Sequence, residues 1–251
     1  MPPRLKILYL ASEAAPFSKT GGLADVTGSL PKAMAALGHD VRLVLPAYAP
    51  IEQRAQQPGS DIRVSDLTLR VPIDGGHVTA GLFESFLPGT FVPVSFVAER
   101  QMLARPAMYG YDDDPWRFAF FSRAALDLEI AARGWRPDVV HAHDWHTAAA
   151  VWWLATAGNA DERYRAIPTV FTVHNLMHQG HTSWDLTRYL GILTHGLAEE
   201  PYGGINLMAR GIYHATMVST VSPTYAREVM TPEGGHGLDG LLRHRSGDLH
   251  G

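Results

Sequence analysis

The chain has 251 residues, enough to bury a sizeable core in one large domain or two small ones without covalent staples. It has no cysteine, which excludes disulfide frameworks, thiolate zinc sites and cysteine nucleophiles. Its net charge of -4 comes from intermixed signs with no basic stripe, and no apolar run reaches membrane-span length, so neither a nucleic-acid partner nor a membrane is expected. The sequence reads as a soluble, cytoplasmic protein with an intact N-terminus.

Leu5 to Ala11 is a near-continuous apolar run of strand length, the pattern of a strand buried on both faces of a parallel sheet. Leu23, Val26, Leu30, Met34 and Leu37 then recur at helical spacing, and Gly38 supplies a stop. Pro31 is disfavoured in a helix interior, which predicts a short helical turn and then a main helix with Ser29 near its cap and Pro31 in its first turn. Val41 to Leu45 completes a strand-helix-strand unit.

Between Ile62 and Ala98, three β-rich runs are joined by the turn signals Asp74-Gly75-Gly76 and Pro88-Gly89, which predict an antiparallel or mixed, hairpin-rich portion. Trp116 to Ala132 reads as an amphipathic helix, Val139 to Ala142 as a strand, Thr147 to Ala157 as an apolar helix and Thr169 to Val173 as a strand. Helices near Ile205 to His214 and Thr224 to Met230 flank a strand at Met217 to Val221, with Ser222 as cap and Pro223 in the first turn. Arg243 to Gly251 is polar and without periodicity. The order predicts the α/β class, a doubly wound Rossmann-like sheet with a β-hairpin-rich portion.

In such a sheet, ligands bind beyond the carboxyl ends of the strands. Three loops there carry unusual residues. The first is Ser18-Lys19-Thr20-Gly21-Gly22-Leu23-Ala24-Asp25, where paired glycines and a helix start admit an anion and Lys19 adds a full positive charge. A phosphate or departing diphosphate suits it, and the plain alternative is a glycine turn beside a solvated lysine.

The second loop, His141-Ala142-His143-Asp144-Trp145-His146, has enough ligands to make a metal-dependent hydrolase a competing reading. Against it, strand alternation sends His141 and His143 to one face and Ala142 and Asp144 to the other, with no equally clear ligand set downstream. At least one or two of these histidines are expected to be packed or satisfied polar groups, and Asp144 is the favoured site residue. The third loop closes a strand with Val173-His174-Asn175-Leu176, and paired donors and acceptors of this kind suit a sugar.

At these residues the sequence resembles bacterial glycogen synthases and plant starch synthases. The resemblance runs through LYLASEAAPFSKTGGLADVTGSLPKAMAALGHDVRLVLPAY, RPDVVHAHDWHTA, TVFTVHNLMHQG and VSTVSPTYAREVMTPEGGHGLDGLL, nearly the whole chain in family order. It implies a retaining glucosyltransferase of the GT-B type, with two Rossmann-like domains facing across a cleft, ADP-glucose as donor, an α-1,4-glucan as acceptor, and no cofactor or required metal. It further implies donor contacts from Lys19 with Gly21, Gly22 and Asp25 beside it, and a glucose and acceptor site lined by Asp144 and His174, with Asn175 next to them and Tyr109 or Tyr111 near the sugar.

Two departures leave the acceptor lining open. Met177-His178 stands where the family usually has a small residue and an aromatic, and Glu199-Glu200-Pro201 where it is usually more apolar. The resemblance also implies that residues 1–251 are a single N-terminal, acceptor-side domain and that the C-terminal nucleotide-binding domain is missing. The chain then reads as an excised domain, an incomplete reading frame or a separate half, and a glucan-binding module without catalysis is the second reading.

Overall fold

The first strand, β1 (Lys6–Leu10), lies at the centre of the structure, a computed structural model that describes residues 3–192 and 203–251. Alternation sends Leu8 and Leu10 into one apolar cluster, with Phe118, Trp152 and Phe171, and Ile7 and Tyr9 into another, with Leu43, Leu45 and Phe96. Both faces of the strand are therefore covered, which accounts for its near-continuous apolar sequence.

After β1 come α1 (Gly22–Ala36), β2 (Asp40–Pro46), α2 (Ala49–Ala55), β3 (Arg63–Val64), β4 (Leu69–Ile73), β5 (Gly76–Phe86) and β6 (Pro93–Ala98). The chain continues through α3 (Asp114–Leu126), β7 (Val139–His143), α4 (Trp145–Ala155), β8 (Thr169–Val173), β9 (His181–Thr182) and α5 (Asp185–Leu190). It ends with β10 (Ile205–Asn206), α6 (Leu207–His214), β11 (Met217–Thr220), α7 (Pro223–Glu228), α8 (Pro232–Gly235), α9 (Asp239–His244) and β12 (Leu249–His250).

The main sheet has the order β12-β11-β8-β7-β1-β2-β6-β5-β3. It is parallel from β12 to β6, while β5 runs antiparallel to β6, β3 and β4. The expected hairpin-rich portion is thus one edge of a doubly wound sheet. The chain moves outward through β2 and β6 on one side of β1 and through β7, β8 and β11 on the other. The crevice of the sheet must lie where these directions part, between β1 and β7.

Four elements differ from the sequence reading. α1 runs unbroken through Pro31, because Leu23, Ala24, Thr27, Gly28 and Pro31 are all buried along one face. That burial offsets the roughly 3 kcal/mol that an interior proline costs a helix. α3 is not amphipathic: nearly all of it is buried, and its charges are neutralised in place, Arg117 by Asp114 at 2.7 Å and Arg123 by Asp127 at 2.5 Å. It begins at Asp114 and ends at Leu126, and residues 127–132 continue it as a π-helical stretch.

Ile205–Asn206 is strand rather than helix, pairing with β9, and the Asn206 side chain then caps α6 by accepting from the Ala209 amide at 3.0 Å. The final polar stretch is ordered as the end of α9 and as β12, which pairs in parallel with β11. A two-residue strand is too short to show a period. The Ser222 cap of α7 is as expected, accepting from the Tyr225 amide at 3.0 Å. Residues 199–201, where the sequence departs from its relatives, lie outside the described residues. Among the described residues, no helix is long and apolar enough to cross a membrane.

Gly28 lets α1 lie against the loop that follows β1, since a Cβ there would come within 2.5 Å of the Ala15 carbonyl oxygen. Gly28→Ala is therefore expected to destabilise the chain by about 1–3 kcal/mol, with Tm falling roughly 2–4 °C for each kcal/mol. An unchanged melting curve would show that this loop is not pinned to the helix.

Candidate active site

A cavity of about 870 Å³ opens at the carboxyl ends of β1, β7 and β8. Gly21, Gly22, Tyr109, Asp144, His174 and Asn175 all line it, together with Glu13, Asp114, Trp145, His146 and His178. Parallel pairing of β1, β7 and β8 thus brings the second and third loops of the sequence reading to one crevice, along with the glycine pair of the first.

Asp144 joins two strand ends. Its backbone sits at φ 55°, a left-handed value that is costly for a residue with a side chain. The turn lets its amide donate to the Thr172 carbonyl at 2.9 Å and turns its carboxylate back to accept from the His174 amide at 2.8 Å. Burial raises its pKa to about 7, with the backbone donors of His174 and Asn175 opposing the shift. The carboxylate therefore faces the β8 tip rather than capping α4, whose N-terminus is left without a side-chain cap at the cavity.

The histidines are held neutral. His141 donates to or accepts from the Thr172 hydroxyl at 2.6 Å and stacks on His143 with centroids 4.3 Å apart. His143 Nδ1 meets His174 Nε2 at 3.0 Å. Burial lowers His141 and His146 to about 3 and His174 to about 4, and pushes His143 well below the usual range. Among the described residues, no group of three His, Asp or Glu side chains is arranged to hold a metal ion. His141 Nε2 faces Thr172, and His143 Nδ1 and His174 Nε2 face each other.

The loop after β1 divides its predicted residues. Gly21 and Gly22 lie at the cavity, where α1 begins without a side-chain cap, so its first amides are available to an anion. Lys19 and Asp25 are not in the lining. They form an ion pair of 2.5 Å at the rim, with side chains 51% and 59% exposed. Tyr109 reaches the cavity and shares a hydrogen bond of 2.8 Å with the Ser12 hydroxyl, whereas Tyr111 stacks under Arg105 and Arg117 instead.

Sequence reasoning passed over two carboxylates that build this site. Glu13 is buried and accepts from both the amide and the hydroxyl of Thr20, tying down the loop just ahead of Gly21. Asp114 accepts from the amides of Gly110 and Tyr111 at 2.8 and 3.2 Å while paired with buried Arg117, which sets the turn that carries Tyr109. Their only signal was a charged residue beside an apolar run. His178, one of the departures, lines the cavity, while Met177 beside it is exposed. Gly180, at φ 66°, lets this loop pass the Trp145 ring, which a Cβ would approach to 2.2 Å.

The neutral histidines predict a pH dependence. An unfolded chain protonates its histidines below about 6.5. The folded chain resists this at His141, His143, His146 and His174, and also at His214, which burial lowers to about 4. Their stabilising contribution is present above about 6.5 and lost as pH falls towards 4. Asp144 acts in the opposite sense, its contribution being lost as pH rises through about 7, and burial also raises Asp127 and Glu52, but these are three groups against five. Tm is expected to fall between pH 6.5 and 5. A flat or rising Tm in calorimetry across that window would contradict a neutral histidine cluster.

The family described as starch synthase catalytic domain matches residues 6–244. Glycogen synthase 1 of Geobacter metallireducens is 43% identical, aligned over 99% of this chain and 50% of its own length. Glycogen synthase of Moorella thermoacetica is 40% identical over 98% of this chain and 50% of its own. Among solved structures, the catalytic domain of Starch Synthase IV from Arabidopsis thaliana, bound to ADP and acarbose, has a TM-score of 0.87 at 32% identity, covering 98% of this chain and 51% of that one. The chain spans about half the length of the relatives it matches, and it belongs to the starch synthase catalytic domain family.

Proposed function

We propose that this chain forms the acceptor-side wall of a glucan synthase active site, which moves glucose from ADP-glucose to the non-reducing end of an α-1,4-glucan. The observation that carries this reading is the cavity at the β1/β7 switch point, where two uncapped helix N-termini meet Asp144, His174 and Asn175. The solved relative bound to ADP and acarbose supports a nucleotide and a glucan-like sugar as its occupants. The other wall comes from a second domain, corresponding to the half of the relatives that this chain does not match, and the setting is cytoplasmic.

The transfer breaks the bond from the anomeric carbon to a diphosphate oxygen and forms one to the acceptor hydroxyl oxygen, whose proton leaves with the departing ADP. No cofactor enters that balance. Negative charge develops on the diphosphate, and the amides at Gly21 and Gly22 stabilise it from a fixed position. Lys19 adds a full charge by leaving Asp25, since an exposed ion pair of this kind contributes only about 0–1 kcal/mol. Asp144 and His174 hold glucose and acceptor hydroxyls in place, a positioning role in a site lined by packed aromatic rings.

In a two-domain enzyme carrying this half, Lys19→Ala and His174→Ala are each expected to lower kcat/KM by on the order of 100-fold. Wild-type kinetics in either variant would remove that residue from the site. The 251-residue chain alone keeps one wall of the cleft. Calorimetric titration with maltoheptaose is expected to show weak binding, with Kd about 1 mM or above. Glucose transfer by the chain alone would overturn the division into two walls.

A further inference from the structure

One ring at the centre of the cluster touches neither the cavity nor solvent. His143 is fully buried at the end of β7, its backbone amide and carbonyl both bonded to the Thr147 hydroxyl at 2.7 and 2.9 Å. Its ring stacks on His141 at 4.3 Å and lies near Tyr9 at 5.9 Å, and these two rings also touch each other at 4.8 Å. Its Nδ1 meets His174 Nε2 at 3.0 Å, while its Nε2 is buried with no hydrogen-bond partner.

Burial keeps both rings neutral, so each carries one proton and a single proton bridges them. Were the bridging proton to belong to His174, the proton of His143 would sit on its own Nε2, a buried N–H with no acceptor. Orphaned buried donors are avoided more strongly than bare acceptors. With the bridging proton on His143 Nδ1, its Nε2 is a bare acceptor instead of an orphaned donor. His174 must then accept at Nε2 and carry its own proton on Nδ1. His174 lines the cavity, and no hydrogen bond within the described residues occupies that Nδ1.

We infer that His143 is a positioning residue that fixes His174 as the Nδ1–H tautomer, so that His174 offers the cavity a neutral donor and takes the oxygen of a sugar hydroxyl as its acceptor. The identity of the acceptor rests on the function proposed above. The tautomer does not, and the two can fail separately. Stacking of His141 on His143 supports the arrangement, because a charge on either ring would face the other across 4.3 Å.

The test is the long-range proton–nitrogen spectrum of the 251-residue chain labelled with 15N in histidine, at pH 7.5, with His174 assigned by its loss in His174→Asn. Two bare Nε2 atoms and two protonated Nδ1 atoms are expected for His143 and His174. A protonated Nε2 on His174 would overturn the inference, and the wild-type spectrum alone decides this. His143→Asn, whose amide N–H can occupy the place of Nδ1–H, is expected to keep His174 protonated on Nδ1. His143→Phe is expected to release it to Nε2–H, and retention of Nδ1–H in His143→Phe would show that His143 does not set the tautomer. A chain with the expected spectrum that bound no maltooligosaccharide would overturn the proposed function and leave the tautomer standing.

Discussion

The carboxylate of Asp144, accepting from the His174 amide at 2.8 Å, is the contact on which the site depends. It forms only because the backbone turns at φ 55° directly after β7, which swings the side chain across to β8 instead of leaving it over its own helix. One residue thereby fixes the relative position of two strand ends and the entry of α4. The His174 ring then comes to rest against His143, and the crevice between β1 and β7 acquires a polar floor. Strain of this sort persists only where the surroundings over-determine it. Here they do: the same residue donates to Thr172 and is packed with Trp145 and the uncapped start of α4.

The electrostatics follow from where charge is permitted. The rings that touch the floor are kept neutral by burial, and Asp144 itself is raised towards neutrality. Positive character is concentrated in the first amides of α1 and α4, which cannot be titrated, and in Lys19, which waits outside on an exposed partner. Under the function proposed above, such a crevice would present fixed dipoles to a developing anion and neutral hydrogen-bonding groups to hydroxyls. It needs no reorganisation of charged side chains inside the low-dielectric cavity. Deeper in the fold, charges are handled differently, by pairing in place: Glu129 is fully buried and held by Arg42 at 2.6 Å, which Arg133 supplements from the next turn.

Much of this was legible because local signals and tertiary demands coincide. The strands next to β1 read as apolar runs since both faces are covered, and His174-Asn175 and Asp144 declared themselves as polar residues at the ends of such runs. What stayed hidden depended on partners far along the chain. Glu13 looks like the end of a strand until Thr20 folds back on it, and Asp114 looks like a loop acid until Gly110 and Tyr111 present their amides. The period of α3 was misleading because Arg117 and Arg123 mimic a solvated face while being buried and paired. Pro31 was misread for the converse reason: a local penalty was outweighed by one buried face of α1, which only the packed structure supplies. Lys19 was legible as a charge beside glycines, but its direction, towards Asp25 at the rim, is a rotamer that no spacing encodes.

The core and the cleft lie on different surfaces of the sheet. Both faces of β1 are covered by apolar clusters of this chain, whereas the crevice lies at the carboxyl ends of the strands and is bounded by their loops and the first turns of α1, α3 and α4. Folding of this half is solved by burial within the chain, whereas in the reading proposed above its site is completed by an opposing surface. In that reading, a neutral floor without its opposite wall would orient hydroxyls but leave them in contact with water, where each hydrogen bond is exchanged for one to solvent and contributes little. Closing the cleft would strengthen the same contacts without moving them, because water exclusion lowers the dielectric around donors that are already in place.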